Sequence, residues 1–318
     1  MSRSPREPLR VPISRQGTRM NIIPRWAKAL MRRSEFLVAL NARLRWKLHL
    51  LKDWWGTKVW TRTTEVVTPL GFKLTSGFHP AYELMRNGQF EKEETALVSK
   101  SLAEVDAFVD IGANLGYYTC IALQRGVPVL AFEPQYQNLQ CLFRNLIANG
   151  WQEKAEVFPL ALSDRPGLLT LYGASGPSAS LISNWAGYSA RSRKIVPVST
   201  LDNVLAGRFQ GRRLFVKMDV EGAEYMVLKG ALATLARVPK PTWLLEICLD
   251  EFHPDGINPD FREIFHLFWA NGYEGYTATE SPRMVTRRDV QSWLERRRTD
   301  SGTFNYLFRE LANALPKT

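Results

Sequence analysis

Five apolar runs of strand length constrain the fold of this chain more than any other feature. They are 107–112 (AFVDIG), 127–134 (VPVLAFEP), 155–162 (AEVFPLAL), 214–220 (LFVKMDV) and 241–248 (PTWLLEIC). Helical patterns separate or follow most of them: Tyr117 to Arg125, Asn138 to Asn149 with Gly150 as a stop, Glu224 to Leu235, and Phe261 to Ala270 with Gly272 just beyond. Uninterrupted apolar runs suit strands buried on both faces, and strands alternating with helices imply a parallel sheet between two helical layers. The spacing predicts a doubly wound α/β domain with 273–277 and 304–308 as its last strands. Ligands of such sheets sit at the carboxyl ends of the strands, where the strand order switches. Upstream, a short strand pair turns at Leu70-Gly71 and a helix spans 91–102.

The connection from 167 to 213 is long. It holds a strand (LLTLY), a Gly/Ser-rich stretch (GASGPSAS) and a second apolar run (KIVPVSTL). An ordered connection of this length beside a site is expected to serve it, here as a substrate loop; the alternative is an exposed hairpin with a flexible tip.

Charge is unevenly placed. Residues 1–60 carry 14 Lys and Arg against 3 acids, whereas 61–318 carry 28 of each sign. The basic character therefore belongs to an arm, and the body is neutral. Residues 1–20, rich in Arg, Ser and Pro, are expected to be a disordered tail. Over 21–60, apolar residues from Trp26 to Leu51 recur at helical spacing with Arg and Lys between them, which predicts a basic amphipathic helix. It packs on the body with a solvated basic face, lies on an anionic membrane surface, or binds nucleic acid. The three cysteines form no CxxC pair. No 18-residue apolar window and no secretory signal are present, so the expectation is a cytoplasmic protein, peripheral at the inner face of a membrane if the arm binds lipid.

The chemistry-bearing residues cluster at strand ends. In DIGANLG, Gly112 and Gly116 make a tight turn between strand and helix, with Asp110 and Asn114 as its polar groups and Tyr117 opening the helix. A pyrophosphate fingerprint offers bare amides to phosphates. An acid at this turn better fits S-adenosylmethionine, which is cationic and has no phosphate. Glu133 ends the second run, 23 residues beyond Asp110, an offset at which an acid binds ribose hydroxyls; the alternative is a helix cap. Ser163 and Asp164 end the third run, facing an adenine amino group or simply forming a turn. Asp219, Glu221 and Glu224 crowd the end of the fourth, with Lys217 two residues earlier. Crowded acids favour raised pKa values and general-base work. Glu224 also reads as an ordinary first-turn helix residue. Glu246, ending the fifth run, and His253, in a loop, complete the catalytic candidates.

VDIGANLGYYT, AFEP followed by Asn138 and Asn145, LALSD, STLD, KMDVEGAE and LLEI occur in the order found in the FkbM methyltransferases, which residues 65–280 resemble. The resemblance implies a class I Rossmann-like fold with a mostly parallel, seven-stranded sheet. It implies S-adenosylmethionine as cofactor, with Asp110, Gly112, Asn114, Gly116, Glu133 and Asp164 around it; Tyr117 and Ser163 join them by position. Asp219, Glu221 and Glu246 would face the methyl-transfer site. Acceptors in the family are hydroxyls of sugars, glycolipids, polysaccharides or macrolide-type natural products.

Neutral hydroxyls are poor nucleophiles, so a base or metal must help remove the proton. Asp219 is the candidate base or metal ligand; oxygen donors would suit Mg²⁺, although no ligand set is identifiable. Two rivals share the strand, turn and distal acid: a nicotinamide-dependent oxidoreductase, and a non-catalytic membrane-peripheral protein that keeps the pocket. Nucleic acid is not expected as a substrate, because the segment after the fourth run is MDVEGAE rather than an Asn/Asp-Pro-Pro-aromatic motif.

Overall fold

A computed structural model of the protein describes residues 64–76, 81–173, 179–187 and 192–310. The expectations for the tail 1–20 and the arm 21–60 lie outside these residues. The described chain begins with an antiparallel hairpin, β1 (Thr64–Val67) and β2 (Lys73–Ser76), then α1 (Tyr82–Arg86) and α2 (Lys92–Ser101). β3 (Ala107–Ile111), α3 (Tyr117–Gln124), β4 (Val129–Phe132), α4 (Tyr136–Ala148) and β5 (Ala155–Phe158) follow in alternation. β6 (Ala161–Leu162) comes next, and the long connection contributes β7 (Gly167–Tyr172), β8 (Arg193–Ser199) and α5 (Leu201–Leu205). The chain continues through β9 (Leu214–Met218), α6 (Glu224–Lys229), α7 (Leu232–Leu235), β10 (Thr242–Glu246), α8 (Phe261–Ala270), β11 (Tyr273–Thr277), β12 (Met284–Val285), α9 (Arg287–Arg296) and β13 (Asn305–Glu310).

The main sheet has the order β12-β11-β13-β10-β9-β3-β4-β5. Five neighbours, β5 to β10 in that order, are mutually parallel, and β13 enters antiparallel between β10 and β11. This is the expected Rossmann-like sheet with one correction: eight strands, not seven, because β12 adds a two-residue edge. The third apolar run is also corrected. It divides after Phe158, so that Ala161–Leu162 leaves the main sheet and pairs with β8 in a second sheet, β6-β8-β7. The predicted helix 224–235 is two short helices separated at Gly230, where a Cβ would stand 2.1 Å from the carbonyl oxygen of Ser163.

Side chains alternate across the sheet with the strand period of two. Val109, Ile111, Leu130, Phe132, Val216, Met218, Trp243 and Leu245 face one core, with α5 to α8. Phe108, Val129, Ala131, Phe215 and Leu244 face the other, with α3, α4 and the N-terminal segment. Asp110 and Lys217 are register partners on this second face. The β1–β2 hairpin is tied there by side chains from α4 and its end. Buried Asn145 accepts from the Thr75 amide (2.6 Å) and donates to the Leu115 carbonyl (2.7 Å), while Asn149 bonds both backbone groups of Lys73. Each such bond is worth about 1 kcal/mol net. Buried Asn145 costs more than that if its partners are lost.

Candidate active site

From β3 the chain winds outward through β4 to β5, then returns to place β9 on the other side of β3. Connections leave the two carboxyl ends in opposite directions, and a cleft opens there. It encloses about 630 Å³, part of it open to solvent. Gly112 and Asn114 line it after β3, Glu133 and Gln135 after β4, and Asp219 and Glu221 after β9. Ile111, Phe132 and Leu162 supply apolar wall, and Leu171, Ala179 and Leu181 come from the long connection.

The glycine turn is fixed from both sides. Gly112 and Ala113 donate to the Phe132 carbonyl (3.0 and 2.9 Å). Gly112 has φ +83°, and a Cβ there would lie 1.9 Å from the Asp219 carbonyl oxygen. The glycine thus admits the backbone of the neighbouring strand end. The Asn114 amide donates to Glu133 Oε2 (2.9 Å), and the Gln135 amide to Oε1 (2.7 Å). Burial pushes the Glu133 carboxyl up to about 7 despite these donors.

Other residues expected around a cofactor do not line the cleft. Asp110 is buried in β3, where it accepts from the Thr119 hydroxyl (2.6 Å) and burial raises it to about 6. Gly116 leaves room for Leu142, whose nearest side-chain carbon would be 3.0 Å from a Cβ. Tyr117 packs edge-on against Phe72 and Phe90. The Ser163 hydroxyl donates to Asp164 (3.2 Å), whose carboxylate also lies 3.8 Å from Arg165 and from Lys229.

The acid cluster after β9 is divided by its partners. Asp219 accepts from the Lys217 ammonium (3.4 Å), which in turn pairs with Glu94 on α2 (3.2 Å). Burial opposes the Lys217 charge, but Glu94, Asp219, Glu91 and Asp110 outweigh it and hold the ammonium well above the ordinary lysine range. Glu221 takes φ 55°. Its carboxylate accepts from the Trp185 indole (2.6 Å), and its carbonyl from the Ser180 hydroxyl (2.6 Å). Buried Glu224 accepts from the Gly222 amide (3.0 Å), and burial pushes its carboxyl up to about 8. Glu246 does not line the cleft, but it is held well above the usual carboxylate range by the charge of Asp219, by burial and by Glu221. His253 also stands outside, edge-on to Trp185 at 5.9 Å, its pKa lowered by burial.

Among the described residues, no group of three or more His, Cys, Asp or Glu side chains is arranged to hold a metal ion. The cation among these carboxylates is Lys217, so the donor set does not fit a divalent metal. No helix among the described residues is long and apolar enough to cross a membrane. Two contributors were not foreseen. Glu94 carries no sequence signal beyond its place on a helix, and Trp185 none beyond lying in the long connection.

Residues 110–274, more than half of the chain, match the methyltransferase FkbM domain. The chain belongs to the FkbM methyltransferase family. The FkbM match starts at Asp110 and ends inside β11, so Glu94 precedes it. No curated protein matches the sequence. Among solved structures, methyltransferase FkbM from Methylobacillus flagellatus KT is 21% identical, with a TM-score of 0.32, over 45% of this chain and 33% of that one. The alignment thus spans about a third of that relative's length. Precorrin-6y C5,15-methyltransferase from Geobacter metallireducens GS-15 is 12% identical, with a TM-score of 0.35, over 58% of this chain and 74% of that one. The tRNA (uracil-54, C5)-methyltransferase of Pyrococcus abyssi, solved with S-adenosyl-L-homocysteine, is 12% identical, with a TM-score of 0.32, over 58% of this chain and 35% of that one.

Proposed function

We propose that this FkbM family member transfers a methyl group from S-adenosylmethionine to a hydroxyl of a sugar, glycolipid, polysaccharide or related natural product. The sign of the cleft wall carries the reading. Glu133, Asp219 and Glu221 line it, and among the described residues no Lys, Arg or His does. A dinucleotide would set its pyrophosphate against these acids with no cation in the described lining to meet it, whereas a sulfonium nucleoside brings a positive charge and no phosphate.

When bound, S-adenosylmethionine supplies an electrophilic methyl group on sulfur. Glu133 already accepts two amide N–H bonds, yet a carboxylate has about four acceptor sites, which leaves room for ribose hydroxyls. Ile111, Phe132 and Leu162 offer flat apolar surface to the base. Asp219, at the cleft wall, would take the proton of an acceptor hydroxyl placed beside it. Glu221, held by Trp185, orients the hydroxyl, while Glu246, outside the cleft, acts on it only through its charge coupling to Asp219. The remaining acceleration comes from holding oxygen, carbon and sulfur in line.

Methyl-donor consumption in the presence of glycan and lipid extracts tests the activity, and calorimetry against S-adenosylmethionine and a nicotinamide dinucleotide tests the cofactor. Asp219→Asn is expected to keep S-adenosylhomocysteine affinity within about threefold and to lose about 10² to 10⁴ in turnover. Unchanged turnover would remove Asp219 from the mechanism, and tight dinucleotide binding would overturn the cofactor.

A further inference from the structure

Glu94 lies outside the stretch matched by the family, yet it belongs to a buried charged group beside the cleft. Its side chain is 5% exposed, and that of Lys217, 3.2 Å away, is 6% exposed. Lys217 leaves β9 on the same face as Phe215, under α2 and α3. Its ammonium lies 4.7 Å from the centre of the Tyr118 ring, whose hydroxyl donates to Glu91 (2.7 Å). On its other side it reaches Asp219, whose side chain is 29% exposed and lines the cleft. One buried cation therefore bridges a buried anion on a helix and an anion at the cleft wall.

Burying each ion costs several kcal/mol, and apolar packing would serve stability at least as well. What the ions add is direction. Paired with Asp219 alone, the ammonium would follow the carboxylate it has to hold. Glu94 gives it a second anchor, fixed to α2. We propose that Glu94 is a positioning residue that acts through Lys217 to fix the Asp219 carboxylate and the 219–223 turn against the cleft. The functional meaning of that position rests on the reading of Asp219 as proton acceptor.

Hydrogen exchange on the full chain without ligand tests this. The amides of Asp219 (to Ile111, 3.0 Å), Gly222 (to Glu224, 3.0 Å) and Ala223 (to Val220, 3.4 Å) are hydrogen-bonded and report on the turn. Glu94→Gln keeps the shape and removes the charge. It is expected to speed these amides about tenfold to a hundredfold while β3 and β4 stay at wild-type rates. Glu94→Asp keeps the charge and is expected to stay within about threefold of wild type. A packing role predicts the reverse order, since Gln fills the space and Asp does not. Lys217→Met should speed the same amides, and adding Glu94→Gln to it should speed them no further. Unchanged exchange in Glu94→Gln, the reverse order, a uniform increase across the sheet, or additive effects would each overturn the proposal. The readout involves neither acceptor nor turnover. Its failure is therefore separate from that of the methyl-transfer reading, which Asp219→Asn decides.

Discussion

Two glycine turns close neighbouring strands of one sheet, and they are held in different ways. At Gly112, after β3, the space for a Cβ is taken by the Asp219 carbonyl oxygen, 1.9 Å away. At Gly222, after β9, with φ +93°, it is taken by the Trp185 ring, whose nearest carbon would be 2.4 Å away. The first neighbour is backbone and moves only if β9 moves. The second is a side chain delivered by the long connection. On the proposed reading, the cofactor half of the cleft is therefore a property of the sheet, while the acceptor half depends on a segment from outside the strand–helix alternation. Such an arrangement permits the acceptor side to change without disturbing the donor side.

The comparison breaks most readily at the glycines. Gly112→Ala is expected to cost about 3 kcal/mol or more in denaturant unfolding and to weaken S-adenosylhomocysteine binding at least about a hundredfold by calorimetry, because strained φ and a backbone clash combine. Gly222→Ala shares the strain, but a ring can swing, so cofactor affinity should stay within about tenfold. Equal losses at the two sites would erase the distinction.

A smaller effect is expected at Trp185. Trp185→Phe keeps a ring over Gly222 and deletes the donor to Glu221, which should lower stability by about 1 kcal/mol, since Glu221 is only part-buried. Thermal denaturation reads the loss, and calorimetry should find cofactor affinity unchanged. A fall in affinity would mean that the two halves are coupled.

The smallest effect is a slope. Glu224 is raised by burial from an ordinary 4.5 to about 8, so the folded chain binds its proton more tightly than the unfolded chain. That contribution is complete below about pH 4.5 and is lost as pH rises through about 8. Between these limits wild-type stability should fall with pH more steeply than that of Glu224→Gln. Parallel curves would show that Glu224 titrates alike in both states.

Much of the fold was legible because buried parallel strands are apolar throughout. The runs at 107–112, 214–220 and 241–248 became β3, β9 and β10 with ends shifted by a residue or two. The errors came where another force intervened. Gly230 interrupts a helical pattern because Ser163 backbone passes against it. β12 is only two residues long and carries no periodicity. Run 155–162 contains Pro159, which has no amide for a ladder, and the two parts of the run join different sheets. Within the site, the acids of KMDVEGAE were visible, but not their division of labour. Glu224 braces its own turn, Glu221 is held from the long connection, and Asp219 is held through Lys217 by a helix over a hundred residues earlier in the sequence.

By itself the sequence determined the order of buried strands and the concentration of glycine and carboxylate at their carboxyl ends, because hydrophobic periodicity and turn chemistry are local properties. Only the tertiary structure decided which of those residues share a cleft. Gly112, Asn114, Glu133, Asp219 and Glu221 meet there, since return of the chain to β9 brings three strand ends together. Asp110, one residue short of its strand's end, falls on the buried face and spends its carboxylate on Thr119. The Trp185 and Glu94 contacts are equally beyond a local reading, because each joins groups that chain folding alone makes neighbours.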